Sequence, residues 1–135
     1  MTIGSVASSA TEEAPGRGLE GLRILVVEDA FPVAELIDGM LAALRCEVVG
    51  PVGRLDKAVR MAREEVLDGA ILDVNLGGQD VSPVADELEA RGVPFFFATG
   101  YEGLVDLPAK YHGRPNLKKP FALRDFSEMM IRVFA

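Results

Sequence analysis

Short apolar runs alternate with longer amphipathic stretches along this chain, and the alternation predicts strands and helices in turn. Strands are predicted over the short apolar runs at residues 23–27, 47–49, 69–73, 93–98 and 114–118. Helices are predicted where apolar residues recur at helical spacing, over residues 32–45, 55–66, 82–91 and 121–134. The dipeptide Gly50-Pro51 should end the second strand, and Asn75-Leu76-Gly77-Gly78 should form a flexible loop.

The segment between the fourth and fifth predicted strands lacks this regularity. Gly103 and Pro108 interrupt it, and few of its residues are aliphatic. We therefore expect residues 100–113 to form a loop with at most a turn or a short helix. In a regular strand–helix alternation this segment would form the fourth helix, so we describe that helix as degraded in this chain.

Five strands that alternate with helices predict an α/β domain with a parallel sheet covered on both faces. Right-handed crossovers restrict the topology, and the common small solution is a doubly wound sheet with strand order 2-1-3-4-5. In that order the switch point lies between the first and third strands. The domain should span residues 19–135, after a Ser-, Ala- and Gly-rich segment, residues 1–18, that is predicted to be a disordered leader.

Composition narrows the possible partners. The chain has 135 residues, the size of one ordinary domain, and 49% of them are hydrophobic. A net charge of −7 argues against nucleic acid as a direct partner, and no apolar stretch is long enough to span a bilayer. The single cysteine excludes an internal disulfide, and the N-terminus does not resemble a secretion signal. A cytoplasmic location follows by default.

Carboxylates follow two of the predicted buried strands. Glu28 and Asp29 come directly after the first strand, and Asp73 ends the third. The carboxyl ends of neighbouring parallel strands lie together, so these acids should meet in one crevice and need a cation or a proton to coexist. An oxygen-rich cluster of this kind suits Mg²⁺. The alternative is that Glu28 and Asp29 only cap the following helix, but acids at two neighbouring strand ends favour a site.

A hydroxyl and a lysine follow the last two strands. Thr99 ends the fourth strand, and Gly100 leaves space beside it. Lys118 and Lys119 end the fifth strand, directly before Pro120. Taken alone, a threonine before a glycine is usually a turn residue, and a lysine before a proline is usually a solvated strand end. Together with the acids, they place polar side chains at the carboxyl ends of four strands.

This arrangement resembles the receiver domains of bacterial two-component response regulators, over residues 22–135. The matching segments are Ile24-Leu25-Val26-Val27-Glu28-Asp29, Ile71-Leu72-Asp73-Val74-Asn75, Phe97-Ala98-Thr99-Gly100 and Lys119-Pro120-Phe121. The resemblance implies a flavodoxin-like receiver fold. It also implies a protein that takes part in signal transduction through phosphorylation.

The resemblance assigns roles in phosphoryl transfer to three side chains. Asp73 would be the phosphoacceptor, attacking a phosphohistidine of a sensor histidine kinase as a carboxylate nucleophile. Thr99 would donate a hydrogen bond to a phosphoryl oxygen, and Lys119 would pair with the phosphoryl charge. Lys119 is preferred to Lys118 because Pro120 follows it, as in the family.

The resemblance also implies a magnesium site. Asp29 and Asp73 would bind Mg²⁺ through their side chains, with the backbone carbonyl of Asn75 as a further ligand. Glu28 would act through a bound water or by holding a ligand in place. Asn75 and Gly100 would border the path of water to the aspartyl phosphate and thus influence its lifetime.

Two departures from the common receiver pattern concern how the signal leaves the site. Many receivers carry an aromatic switch residue three positions before the lysine, where this chain has Asn116. Together with the degraded fourth helix, this resembles an alphaproteobacterial subgroup, the FAT GUY receivers, whose motif begins as residues 97–100 do. The second half of the motif differs, since Tyr101 and Glu102 follow directly. We expect residues 100–113 to order or shift on phosphorylation.

The function predicted from these residues is that of a single-domain response regulator. It would accept a phosphoryl group on Asp73 with Mg²⁺ and act through contact with an unknown output protein, or through phosphate shuttling in a phosphorelay. It would not be a turnover enzyme, because its product is its own modified state. The alternatives are a pseudo-receiver that binds a partner without phosphorylation and a small Mg²⁺-dependent phosphotransferase. The cognate kinase, the output partner and the oligomeric state are not predicted.

Overall fold

The computed structural model describes residues 18–100 and 103–135. Its strands are β1 Arg23–Val27, β2 Glu47–Val52, β3 Gly69–Asp73, β4 Asn75–Leu76, β5 Gln79–Asp80, β6 Phe95–Thr99 and β7 Asn116–Lys118. Five of them form one parallel sheet in the order β2-β1-β3-β6-β7, while β4 and β5 form a separate antiparallel hairpin. The predicted order 2-1-3-4-5 is confirmed, since β6 and β7 are the fourth and fifth predicted strands.

Helices cover both faces of this sheet. They are α1 Phe31–Ala43, α2 Leu55–Glu64, α3 Ser82–Arg91 and α4 Leu123–Phe134. The four predicted helices are confirmed, with ends that shift by a few residues. Pro32 lies in the first turn of α1, where a missing backbone N–H costs nothing, and Gly92 ends α3 with a left-handed φ of 71°. No helix within the described ranges is both long and apolar enough to cross a membrane.

The alternation of side chains along each strand divides the core into two layers. Leu25, Leu72 and Phe97 face α2 and α3, whereas Ile24 and Phe96 face α1 and α4. The central strands are therefore apolar on both faces, as expected for a parallel sheet between two helix layers. In β3 and β6 the polar side chains, Asp73 and Thr99, come at the carboxyl edge, where the strands leave the sheet.

The predicted break at Gly50-Pro51 was wrong, because β2 continues through this dipeptide to Val52. The pairing with β1 shifts register between Leu25 and Val27, which is a bulge. Gly50 has a φ of 105°, and a Cβ there would lie 3.0 Å from the backbone oxygen of Val26, so the bulge requires glycine. The extension matters for the site, because the carbonyl of Val52 accepts a 3.0 Å hydrogen bond from the N–H of Glu28.

The predicted flexible loop after β3 is instead the β4–β5 hairpin, so this expectation was also wrong. Asn75 pairs with Asp80 and Leu76 with Gln79 around a two-glycine turn. Gly77 and Gly78 both have positive φ values, 57° and 91°, as the tight turns of hairpins demand. The side-chain oxygen of Asn75 accepts a 2.8 Å hydrogen bond from the N–H of Gly78, which closes the turn.

The segment between β6 and β7 contains no α-helix over residues 103–113, as the sequence predicts. A single 3₁₀ turn, Ala109–Tyr111, is its regular structure there. Leu104, Leu107 and Tyr111 are nevertheless buried and complete the core layer against α3. Residues 101 and 102, and the predicted leader except Gly18, lie outside the described residues.

Candidate functional site

The three predicted carboxylates lie together at the carboxyl edge of the sheet. Strands β1 and β3 are direct neighbours, and Val27 pairs with Leu72, so Glu28 and Asp73 leave the sheet side by side. One carboxylate oxygen each from Glu28, Asp29 and Asp73 lies within 4.8 Å of the others. Glu28 and Asp73 are 3% and 7% exposed, while Asp29 is open to solvent. The cluster thus has a buried side and an accessible side.

Lys119 contacts two of these three carboxylates. Its Nζ donates hydrogen bonds to Glu28 Oε1 at 2.9 Å and to Asp73 Oδ1 at 3.2 Å. The backbone N–H of Lys119 also donates to the carbonyl of Thr99 at 2.8 Å, which fixes the start of the turn after β7. The peptide bond from Lys119 to Pro120 is cis. The side chain that reaches the acids is therefore that of Lys119, the lysine preferred from the sequence.

The charges in this cluster do not balance. Burial and the nearby charge of Glu28 raise the pKa of Asp73 from 3.8 to about 6, and Lys119 offsets only part of this effect. Burial by itself would lower the pKa of Lys119, but its hydrogen bond to Glu28 and the charge of Asp73 raise it above its usual range. The three carboxylates therefore carry more negative charge than one lysine neutralises, and this favours the binding of another cation.

Helix capping does not explain the acid pair. The N-cap position of α1 is Ala30, and α1, all of whose residues are described, has no side-chain capping bond. Glu28 Oε2 instead accepts a 3.1 Å hydrogen bond from the N–H of Ala30, while its other oxygen bonds Lys119. Glu28 is thus held at both oxygens inside the site.

Asn75 and Thr99 flank Asp73 in different ways. The N–H of Asn75 lies 3.4 Å from Asp73 Oδ1, a long hydrogen bond, while its side chain is occupied in the hairpin turn. Asp73 pairs with Ala98, so Thr99 lies one residue further along the neighbouring strand, and it is 1% exposed. The hairpin also reaches the acids, since a Cβ on Gly77 would lie 3.9 Å from Asp29 Oδ2.

An open cavity of about 380 Å³ leads from solvent to Asp73. Its lining includes Asp73, Asn75, Gly100 and Lys119, which the sequence predicts, but also Gly103 and Asp106, which it does not. Asp106 lies in the segment without helical periodicity, so its sequence position offers no sign that it faces the site. The cavity is large enough for a phosphoryl group and the approach of a donor.

Asn116, at the usual aromatic position, is exposed, and its side chain donates a 3.3 Å hydrogen bond to the carbonyl of Arg114. The aromatic ring that packs on this side of β6 belongs to Tyr111. Its ring lies 6.2 Å from that of Phe95 and 5.8 Å from that of Phe97, centroid to centroid, in edge-on geometry. Phe95, Phe97 and Thr99 alternate along β6 on one face, so Phe97, which Tyr111 contacts, is the neighbour of Thr99 on that face.

Tyr111 also links the β6–β7 segment to α3. Its hydroxyl donates to a carboxylate oxygen of Asp86 and lies 3.4 Å from one of Glu89. This bond lowers the pKa of Asp86, while burial and the acceptor carboxylates raise the pKa of Tyr111. We name this contact of Tyr111 with Asp86 and Glu89 the tyrosine clasp. The sequence did not predict it, because it joins residues in separate elements.

Comparison with solved structures supports the fold and the family. SdrG from Sphingomonas melonis Fr1 is 36% identical, with a TM-score of 0.73 over 82% of this chain and 94% of SdrG. The receiver domain of the sensor histidine kinase PA1611 from Pseudomonas aeruginosa PAO1, whose structure has a magnesium ion coordinated in the active-site cleft, is 26% identical. That match has a TM-score of 0.69 and covers 83% of this chain and 96% of that domain.

SdrG is also similar in its BeF3-activated conformation, at 36% identity with a TM-score of 0.69 over 82% of this chain and 95% of that one. No protein-family model matches the chain, and no curated protein matches it. SdrG is a response regulator receiver domain, and the likeness to it extends over most of both chains. Together with the parallel sheet, the paired acids and the lysine at its carboxyl edge, this shows that the chain belongs to the receiver domain family of response regulators.

Proposed function

We propose that this receiver accepts a phosphoryl group on Asp73 from a phosphohistidine of a sensor histidine kinase. The observation that carries the proposal is the contact of Lys119 Nζ with both Glu28 and Asp73 at the inner end of an open cavity. A buried carboxylate held by a lysine, yet accessible from one side, is a suitable nucleophile for a donor that approaches through that cavity.

The transfer forms one bond and breaks another. A carboxylate oxygen of Asp73 bonds to phosphorus, the P–N bond of the donor breaks, and the imidazole nitrogen keeps the electron pair and takes up a proton. Asp73 Oδ1 already accepts hydrogen bonds from Lys119 and Asn75, so we assign Oδ2 as the nucleophile. Lys119 neutralises charge on the phosphoryl oxygens, and the buried hydroxyl-bearing Thr99 lies on the adjacent strand end to bind one of them.

Mg²⁺ fits the acidic cluster by the chemistry of its donors. The available ligand atoms are carboxylate oxygens of Glu28, Asp29 and Asp73, which are the hard donors that Mg²⁺ prefers. Asp29 is open to solvent and the cavity reaches Asp73, so waters and phosphoryl oxygens would have room to serve as further ligands. When bound, Mg²⁺ would neutralise the carboxylates and the phosphoryl oxygens. Asn75 would contribute its backbone carbonyl, as the family resemblance implies.

The output that we propose is contact with another protein, or transfer of the phosphoryl group onward in a phosphorelay. The net charge of −7 does not suit a nucleic acid partner. Because the product is the modified protein itself, the proposal does not make this chain a turnover enzyme. A cytoplasmic location, predicted by default, remains part of the same proposal.

The decisive experiment is incubation with acetyl phosphate and Mg²⁺, followed by measurement of the intact mass. One added phosphoryl group is expected, and it should be lost in Asp73→Asn and on chelation of Mg²⁺. Asp125→Asn is a matched control, because it removes an exposed aspartate on α4 outside the cavity.

The other outcomes identify the alternatives. No adduct under any condition would contradict phosphorylation and support a pseudo-receiver that binds its partner constitutively. Continued turnover of small phosphate esters would instead indicate a phosphotransferase. An adduct that persists in Asp73→Asn would show that another residue is the acceptor.

A further inference from the structure

Asp106 places a second aspartate at the cavity that holds Asp73. The lining includes Asp73 and Lys119 from the strand ends, and Gly103 and Asp106 from the segment between β6 and β7. Asp106 is exposed, whereas Asp73 is 7% exposed. The β6–β7 segment therefore presents a negative charge at the mouth of the cavity where a phosphoryl group would add more.

The core fixes the position of Asp106. Leu104 and Leu107 are 8% and 4% exposed, and the N–H of Leu107 donates a 3.0 Å hydrogen bond to the carbonyl of Leu104. This closes a four-residue turn whose two central residues are Val105 and Asp106. Both leucines point into the core, so the turn places Asp106 at the surface beside the cavity.

The two ends of the segment are held with different strength. The N–H of Gly103 lies 3.4 Å from the carbonyl of Gly100, a long and weak bond, and Gly103 has a φ of 65°. The far end is anchored by the tyrosine clasp, since Tyr111 is fully buried and bonded to α3. A force on Asp106 would therefore displace residues 103–107 and leave Tyr111 in place.

We infer that Asp106 is the residue through which the β6–β7 segment senses charge at Asp73. The inference rests on the proposed function and adds a mechanism to it. A phosphoryl group, or an anionic analogue, brings negative charge into a cavity where Asp106 already stands, and like charges repel. The repulsion weakens binding of the anion and pushes residues 103–107 outward. Asp106 acts here as a positioning residue and takes no part in bond making.

The test measures binding of beryllofluoride in the presence of Mg²⁺, with amide exchange of residues 103–107 as a second readout. Asp106→Asn should bind the anion about five-fold more tightly at low salt, as expected when one of two like charges is removed from a partly solvated cavity. Asp106→Glu keeps the charge and should bind as the unmodified protein does. The advantage of Asp106→Asn should shrink below about two-fold at about 1 M salt, because exposed charges are screened.

A matched control is Glu64→Gln, which removes the same charge from the exposed end of α2, at the opposite edge of the sheet. It should leave binding unchanged. In the exchange measurement, beryllofluoride should speed exchange of residues 103–107 in the unmodified protein and in Asp106→Glu, and less so in Asp106→Asn.

Each other result counts against the inference. Unchanged or weaker binding by Asp106→Asn, a gain that persists at high salt, or an equal gain in Glu64→Gln would overturn the role of Asp106. Failure of the unmodified protein to bind beryllofluoride at all would refute the proposed function first, and the inference with it.

Discussion

Replacing Asp73 by Asn should make this protein more stable at neutral pH when no divalent cation is present. Asp73 is 7% exposed, and burial together with the charge of Glu28 raises its pKa to about 6. The folded protein therefore holds the ionised carboxylate at a cost that the unfolded chain avoids. An asparagine removes the charge and still offers an oxygen to the Nζ of Lys119, which keeps its 2.9 Å bond to Glu28.

The size of this effect follows from the pKa shift. A rise from 3.8 to about 6 corresponds to about 3 kcal/mol at 1.36 kcal/mol per pKa unit, which is an upper limit for the gain. Below a pH of about 4, Asp73 is protonated in both states and costs nothing. Between about 4 and about 6 the folded state binds more protons than the unfolded state, so this group lowers stability as the pH rises. Above about 6 the cost is complete and constant.

Urea denaturation followed by circular dichroism, in a metal chelator, provides the assay. Asp73→Asn should be about 1–2 kcal/mol more stable than the unmodified protein at pH 8, which is below the upper limit because the site is partly open to solvent, and nearly equal to it at pH 4. Saturating Mg²⁺ should narrow the gap at pH 8, because a cation that binds only the folded acids stabilises the unmodified protein more. Asp125→Asn, which removes an exposed aspartate from outside the acidic cluster, is the control for this comparison.

If Asp73→Asn had a lower free energy of unfolding than the unmodified protein at pH 8, the ionised carboxylate of Asp73 would stabilise the folded state. The excess negative charge of the cluster would then not be a cost to folding. An equal gain at pH 4 and pH 8 would point to a packing effect of the amide rather than to removal of a charge. Either outcome would refute the reasoning.

Two further predictions concern Lys119 and the tyrosine clasp. Lys119→Met leaves two buried carboxylates without their shared cation and should lower the free energy of unfolding by about 3 kcal/mol at pH 8. Chemical denaturation would measure this, and an unchanged free energy of unfolding in Lys119→Met would contradict it. Tyr111→Phe removes the hydroxyl that bonds Asp86 and should cost about 1–2 kcal/mol, raise the pKa of Asp86 and speed amide exchange over residues 103–113. Unchanged exchange in that segment would show that the clasp does not hold it.

The meeting of the acids and Lys119 at one edge of the sheet could be predicted, because it depends on the apolar pattern of the strands and on the handedness of their connections. Buried strands are recognisable from short apolar runs, and right-handed crossovers leave few orders for five of them. Once β1 and β3 are neighbours, the acids that follow them must meet, as Glu28 and Asp73 do. Lys119 also reaches this edge because it follows the last strand, although which acid oxygens it contacts was not predictable.

The sequence pattern gave wrong predictions at two glycine-containing segments, because a glycine is compatible with more than one local structure. Gly50 was expected to end β2, but its positive φ allows a bulge that carries the strand on to Val52. Gly77 and Gly78 were expected in a flexible loop, yet the same freedom of φ makes a tight hairpin turn. A glycine indicates that unusual backbone angles are available. Which use the chain makes of them depends on the neighbouring strands.

The amino-acid sequence was enough to predict the five strands of the main sheet, their order and the side chains at its carboxyl edge, because hydrophobic periodicity is local and crossover rules leave few strand orders. The raised pKa of Asp73, the place of Asp106 at the cavity and the bond from Tyr111 to Asp86 came only from the folded chain. Each depends on burial or on contact between residues in separate elements, and the hydrophobic pattern within one element does not predict such contacts.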